Sequence, residues 1–99
     1  DQIAAIKGID GLFIGPGDLS NRLNCPYDFS HPQMAAAQTA VAAAAARHGI
    51  AWGRPARNAE DIASMARLGG RLIAHGSDFG AVAAMMPKFG ATIAEGLGV

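Results

Sequence analysis

The 99 residues are 51% hydrophobic and 16% charged, the composition of an ordinary globular chain and not of a disordered or fibrous one. Eight basic and eight acidic side chains cancel, and the arginines are scattered, which argues against a nucleic-acid or anionic-membrane partner. No apolar stretch reaches the roughly 18 residues of a membrane span, and the single cysteine, Cys25, allows no internal disulfide, in agreement with a reducing cytoplasm.

The chain opens at Asp1 without a methionine, and residues 2–7 read as the tail of a helix. The expectation is a chain whose first portion lies elsewhere. Gly11-Leu12-Phe13-Ile14 is a continuous apolar run of strand length, as suits a parallel strand covered on both faces. Gly15-Pro16-Gly17 closes it and is read as a loop that no helix tolerates. Asp10, just before the strand, is read as a turn residue.

The first full helix is expected from Ser30, with Ser30 as N-cap, Pro32 in the first turn and Gln33 at N3 in a capping-box arrangement. An alanine-rich stretch carries it to Arg47, and Gly49 is placed to stop it. Met34, Ala37, Val41, Ala44 and Ala45 follow helical spacing and form the inward stripe. Residues 50–53 are a second, weaker strand. Asn58 then caps a helix with Asp61 at N3, and Ala59, Ile62, Ala63 and Ala66 are assigned to its inner face.

Gly69-Gly70 ends that helix, and Arg71-Leu72-Ile73-Ala74 is the third strand. Asp78 is read as N-cap of a last helix starting near Phe79, with Pro87 leaving its continuation open and residues 96–99 frayed. Strand and helix alternating at this spacing give an α/β chain with a parallel sheet and crossover helices. Three βα units are too few to close a barrel, and pattern alone leaves a doubly wound fold open.

The segment Gly8-Ile9-Asp10-Gly11-Leu12-Phe13-Ile14-Gly15-Pro16-Gly17-Asp18-Leu19-Ser20 resembles the strand-and-loop signature of the HpcH/HpaI aldolases. The likeness continues through His31-Pro32-Gln33, Gly49, Gly53 and Gly69 to Ile73-Ala74-His75-Gly76-Ser77-Asp78. It implies that residues 1–99 are the C-terminal segment, about three βα units, of a single (β/α)8 TIM-barrel domain. It also implies a metal-dependent lyase that reversibly cleaves 4-hydroxy-2-oxo acids to pyruvate and an aldehyde. An isolated 99-residue piece is expected to be inactive.

Carried over by the resemblance, Asp18 is the metal ligand, for Mg²⁺, Mn²⁺ or Co²⁺. Gly17 and Asp18 offer backbone N–H groups to the substrate carboxylate, while Phe13, Gly15 and Pro16 complete the substrate-binding wall. A 2-oxo acid chelates a hard divalent cation, which prefers carboxylate partners and acts as a Lewis acid. Read without the resemblance, an aspartate after Gly-Pro-Gly is more simply a helix N-cap or Asx-turn. The family's glutamate ligand, catalytic arginine and histidine have no counterpart here, so no catalytic residue is assigned within the chain.

His31, His48 and His75 lack metal-ligand spacing. Only His75, where the family carries an apolar residue, is a candidate for substrate contact. Gly53-Arg54-Pro55 stands where the family has Gly-Ile-Leu. Either the aldehyde pocket has shifted towards acidic substrates, or Arg54 points to solvent. Cys25 is read as structural. The resemblance also implies a homo-oligomer in which the last helix packs on a neighbouring subunit. Alternatives are a citryl- or malyl-CoA lyase-like enzyme, for which no basic CoA patch is visible, and a non-catalytic barrel fragment acting in subunit assembly.

Overall fold

In the computed structural model, which describes residues 1–99, three short parallel strands lie side by side in chain order. They are β1 (Gly11–Phe13), β2 (Ala51–Pro55) and β3 (Leu72–Ala74), with β2 central. Gly11 pairs with Ala51 and Phe13 with Gly53, and Gly53 in turn pairs with Leu72 and Pro55 with Ala74. The helices are α1 (Pro16–Arg22), α2 (Pro32–His48), α3 (Ala59–Arg67) and α4 (Asp78–Leu97). The α/β reading with three strand–helix units is correct.

Helix α1 is where the sequence reading fails. Gly15-Pro16-Gly17 does not exclude a helix; it starts one, with Gly15 as N-cap and Pro16 in the first position. The first-turn N–H groups of any helix lack intrahelical partners, so proline loses nothing there and its fixed φ suits the helix. Residues 2–7 form turns and no helix.

Helix α2 is capped by His31 and not by Ser30, with Nδ1 of His31 accepting from the Gln33 amide at 3.2 Å. An imidazole nitrogen serves the cap as a serine oxygen would, which moves the start one residue on. Gly49, at φ 65°, ends it in the left-handed conformation that glycine adopts without cost. Alanine-rich sequence favours the helix intrinsically, and its small side chains let Ala42, Ala44 and Ala45 lie buried, with Val41 partly covered, against β1 and β2.

Strand alternation divides the sheet into two faces. Leu12, Ile14, Trp52 and Ala56 join Ala42, Ala45, Ile62 and Met65 in the core between the sheet and the helices α2 and α3. Burial of Trp52 and Met65 supplies roughly 2–3 kcal/mol each. The Trp52 indole N–H donates to the carbonyl of Leu68, the C-cap of α3, at 3.1 Å. The inner face of α3 is Asp61, Ile62 and Met65; the expected Ala59, Ala63 and Ala66 are exposed, because a nine-residue helix presents a narrow stripe and Met65 takes it.

The opposite face carries Gly11, Phe13, Ala51, Gly53, Pro55, Leu72 and Ala74, and no element of the chain lies over it. Helix α4 continues through Pro87 to a left-handed Gly98 cap and buries no residue, stretching the molecule to 62 Å. Its N-cap is Ser77, whose Oγ accepts from the Gly80 amide at 2.9 Å; Asp78 sits in the first turn. No helix is long and apolar enough to cross a membrane.

Candidate functional site

All three strands point their C-terminal ends to one edge, where enzymes of parallel α/β architecture place their chemistry. Phe13 ends β1 at this edge on the uncovered face and is 54% exposed. The next residue, Ile14, donates its amide to the Gly53 carbonyl at 2.9 Å and turns back into the core. Gly15 then breaks away (φ −85°, ψ 100°), and its carbonyl accepts from the Leu19 amide at 3.0 Å as the first helical bond.

Gly17 and Asp18 therefore occupy the first turn of α1, where backbone amides have no intrahelical acceptor and the helix carries its positive end. Asp18 is exposed. It is neither N-cap nor Asx-turn: Gly15 holds the cap position with no side-chain cap bond. The five expected site residues Phe13, Gly15, Pro16, Gly17 and Asp18 are thus consecutive along one strand end and one helix start, with only Ile14 between them directed into the core.

Ser20, the last residue of the motif, has a role that the sequence alone does not single out. It is fully buried; its Oγ donates to the Gly17 carbonyl at 2.7 Å and accepts from the Tyr27 amide at 3.1 Å. It anchors the turn carrying Asp18 to the following loop, where Asn24 and Tyr27 adopt positive φ. Its signal in the sequence is a hydroxyl at an inward position of α1, legible only once that helix is known.

No three His, Cys, Asp or Glu side chains gather as a metal-binding group anywhere in the chain. One exposed carboxylate is an incomplete donor set for a divalent cation, which wants several oxygen ligands. The chain does not build a metal centre by itself.

Of the two expectations for Gly53-Arg54-Pro55, an Arg54 that points to solvent is not what the structure shows. Arg54 faces the helices. It neither enters the open face nor points to solvent. Its guanidinium grips Asp61 through two bonds, at 2.6 and 3.0 Å, and also donates to Gln38 Oε1 and the Pro55 carbonyl. The side chains are 15% and 8% exposed, so this is a shielded pair. Asp61 also accepts from the Arg57 amide and, through its own amide, donates to Asn58. Arg54 above all, opposed by burial, holds the Asp61 carboxyl well below the usual carboxylate range. Sequence spacing gave no sign of it, because residues seven apart across a strand, a loop and a helix start follow no helical or strand period.

His75 places Nδ1 2.8 Å from the Ala56 carbonyl. A carbonyl only accepts, so the contact requires the proton on Nδ1. Cys25 is buried, in keeping with a structural role, and Asp10 is not in a turn as expected: its carbonyl accepts from the Ala51 amide and extends the β1–β2 pairing by one bond. His48 lies in the last turn of α2, 3.6 Å from Asp1. A cavity of about 350 Å³ lies between α1, α2 and α3, lined by Leu19, Met34, Arg54 and Leu68 among others. It is on the helix side of the sheet and does not include Asp18.

Residues 1–84 match the model of the HpcH/HpaI aldolase/citrate lyase family. A 5-keto-4-deoxy-D-glucarate aldolase of Salmonella paratyphi C is 36% identical over 92 residues, which cover 93% of this chain and 36% of that enzyme. The structure of an HpcH/HpaI aldolase from Desulfitobacterium hafniense superposes with TM-score 0.81 at 30% identity, over 94% of this chain and 36% of the other. An aldolase/citrate lyase family protein from Burkholderia cenocepacia gives TM-score 0.79 at 30% identity, over 93% and 36%. The chain spans about a third of the length of the curated relatives it matches. Its fold is that of three βα units of the family's TIM barrel, and the chain belongs to the HpcH/HpaI aldolase/citrate lyase family.

Proposed function

We propose that the protein to which these residues belong is a carbon–carbon lyase that reversibly cleaves 4-hydroxy-2-oxo acids to pyruvate and an aldehyde. The observation that carries this reading is the turn Gly15–Asp18: free first-turn amides beside an exposed carboxylate, at the C-terminal edge of a parallel sheet. In cleavage the C3–C4 bond breaks, the C4 hydroxyl gives up its proton as the aldehyde forms, and the electron pair passes to the pyruvate fragment, which is reprotonated at C3.

The Gly17 and Asp18 amides would bind the substrate carboxylate at the positive end of α1. Pro16, lacking an N–H, leaves those two donors as the ones available, and Phe13 supplies an apolar wall on the uncovered face. A divalent ion (Mg²⁺, Mn²⁺ or Co²⁺), when bound, withdraws electron density from the ketone. Asp18 is the one carboxylate this chain contributes to it, and the other ligands would come from outside these residues.

The uncovered sheet face and the bare α4 fit a chain that forms the C-terminal part of a closed barrel and assembles as a homo-oligomer. Phe79, Val82, Met86, Phe89 and Ile93 recur at three- and four-residue intervals along α4, all more than half exposed. The free Cys25 and its lack of any disulfide partner fit a cytoplasmic enzyme. The substrate is a small oxo acid; neither nucleic acid nor membrane is part of this reading. The test is pyruvate release by the full-length protein from a panel of 4-hydroxy-2-oxo acids, with chelator and after return of each metal. Cleavage that stops with chelator and resumes with metal supports the reading; none from any substrate overturns it.

A further inference from the structure

Four backbone groups at the end of the central strand are tied down, two of them by one ion pair. Arg54 donates to the Pro55 carbonyl at 2.8 Å, and Asp61 accepts from the Arg57 amide at 3.0 Å. Between these, the Ala56 amide donates to the Ala74 carbonyl, and the Ala56 carbonyl receives His75 Nδ1, both at 2.8 Å. Proline at 55 has no N–H to satisfy. Residues 55–57 are thus held by Arg54 and Asp61 on the helix side and by Ala74 and His75 at the end of β3, while the alternation of β2 puts the Pro55 position on the face it shares with Phe13.

A surface ion pair would be a weak clamp, but this one is shielded, bidentate and braced by Gln38 from α2. Its members come from the strand and from the third position of α3, so the helix start and the strand end move together. The charge of Arg54 is spent on Asp61, on the helix side of the sheet.

We propose that Arg54 and Asp61 are positioning residues of the aldolase site, acting through the Pro55–Arg57 segment and the His75 ring to set which aldehyde halves the site accepts. This rests on the aldolase reading above. The pair touches no substrate itself. It fixes the Pro55 end of β2, on the face shared with Phe13, and keeps the Arg54 guanidinium on Asp61, so Arg54 contributes to selectivity for the aldehyde half through shape and not by attracting a distal carboxylate.

The test uses the full-length protein and its Arg54→Met/Asp61→Leu double variant, which replaces the pair by apolar side chains of similar length so that no charge is left buried and unpaired. The readout is the ratio of kcat/KM for 4-hydroxy-2-oxopentanoate to that for 4-hydroxy-2-oxoheptanedioate. A variant that is merely less folded loses active enzyme equally for both substrates and leaves this ratio unchanged. Loss of positioning shifts it, by roughly fivefold or more, because ångström-scale misplacement changes rates by up to about a hundredfold. If the double variant does not fold, Arg54→Lys, which keeps the opposite charges but loses the two-pronged contact, carries the same comparison. Cleavage by the parent with an unchanged ratio in the folded variant overturns this assignment alone. No cleavage by the parent overturns the aldolase reading and this assignment with it.

Discussion

Asp61 takes both terminal guanidinium nitrogens of Arg54, at 2.6 and 3.0 Å, where the two side chains are 8% and 15% exposed. The carboxylate is ionised in the folded chain at pH values that would protonate it in the unfolded one. The unfolded state therefore binds the extra proton in acid, and stability rises with pH. The Asp61 contribution is complete above the ordinary carboxylate range, from about pH 5, and is lost progressively as acid approaches the lowered folded value. Urea denaturation between pH 3 and 7 should show a steeper acid loss in the parent than in Asp61→Asn.

At neutral pH the same substitution leaves Arg54 in a shielded place with a neutral partner. Removing one member of a buried pair costs about 3 kcal/mol or more. The Arg54→Met/Asp61→Leu variant should recover most of that, since no unpaired charge remains. A double variant as unstable as Asp61→Asn would show that shape, and not charge, dominates this junction.

Gly53 and Leu72 face each other across β2 and β3 with no room for a side chain. A Cβ on Gly53 would overlap the Leu72 carbonyl. Because the obstacle is backbone, it cannot rotate away, and Gly53→Ala must spread the two strands or lose their pairing. The expected cost is at least about 2 kcal/mol, in the range of an overpacked core. Gly17→Ala, where the new Cβ meets nothing within 4 Å, is the control for fold stability and should leave the unfolding midpoint nearly unchanged.

Helix α4 leaves Phe79, Val82, Met86, Phe89 and Ile93 uncovered within its own chain. If a neighbouring copy covers them, Phe89→Glu should move the full-length protein to a smaller species in size-exclusion chromatography. An unchanged elution volume would place Phe89 outside the subunit contact.

Much of this architecture was legible in the sequence for identifiable reasons. The apolar run 11–14, the left-handed stop at Gly49 and the Asn58 cap each express a local rule, and each stands in the structure with its partner or dihedral. The errors were also local. The rule against Gly-Pro-Gly holds for a helix interior, whereas at a helix start the missing N–H carries no penalty, so that rule hides α1 and the place of Asp18 in its first turn. His31 and Ser77 displaced Ser30 and Asp78 as caps by a single residue each.

What no local rule could supply is the Arg54–Asp61 junction. Asp61 was legible as the third residue of a capped helix, but its partner lies seven positions back on a strand, and only packing of α3 against β2 joins them. The site residues were legible through the resemblance. Their grouping at one strand end is a property of the fold; their chemistry rests on the proposed function.

The most direct measurement is steady-state pyruvate release by the full-length protein and its Asp18→Ala variant, under saturating Mg²⁺ or Mn²⁺, with folding checked by circular dichroism. The account expects kcat/KM to fall at least about a hundredfold, the loss that accompanies removal of a few kcal/mol of charge stabilisation, while the fold persists because the Asp18 side chain is exposed. A folded Asp18→Ala variant that cleaves its substrate at the parent's rate would contradict it.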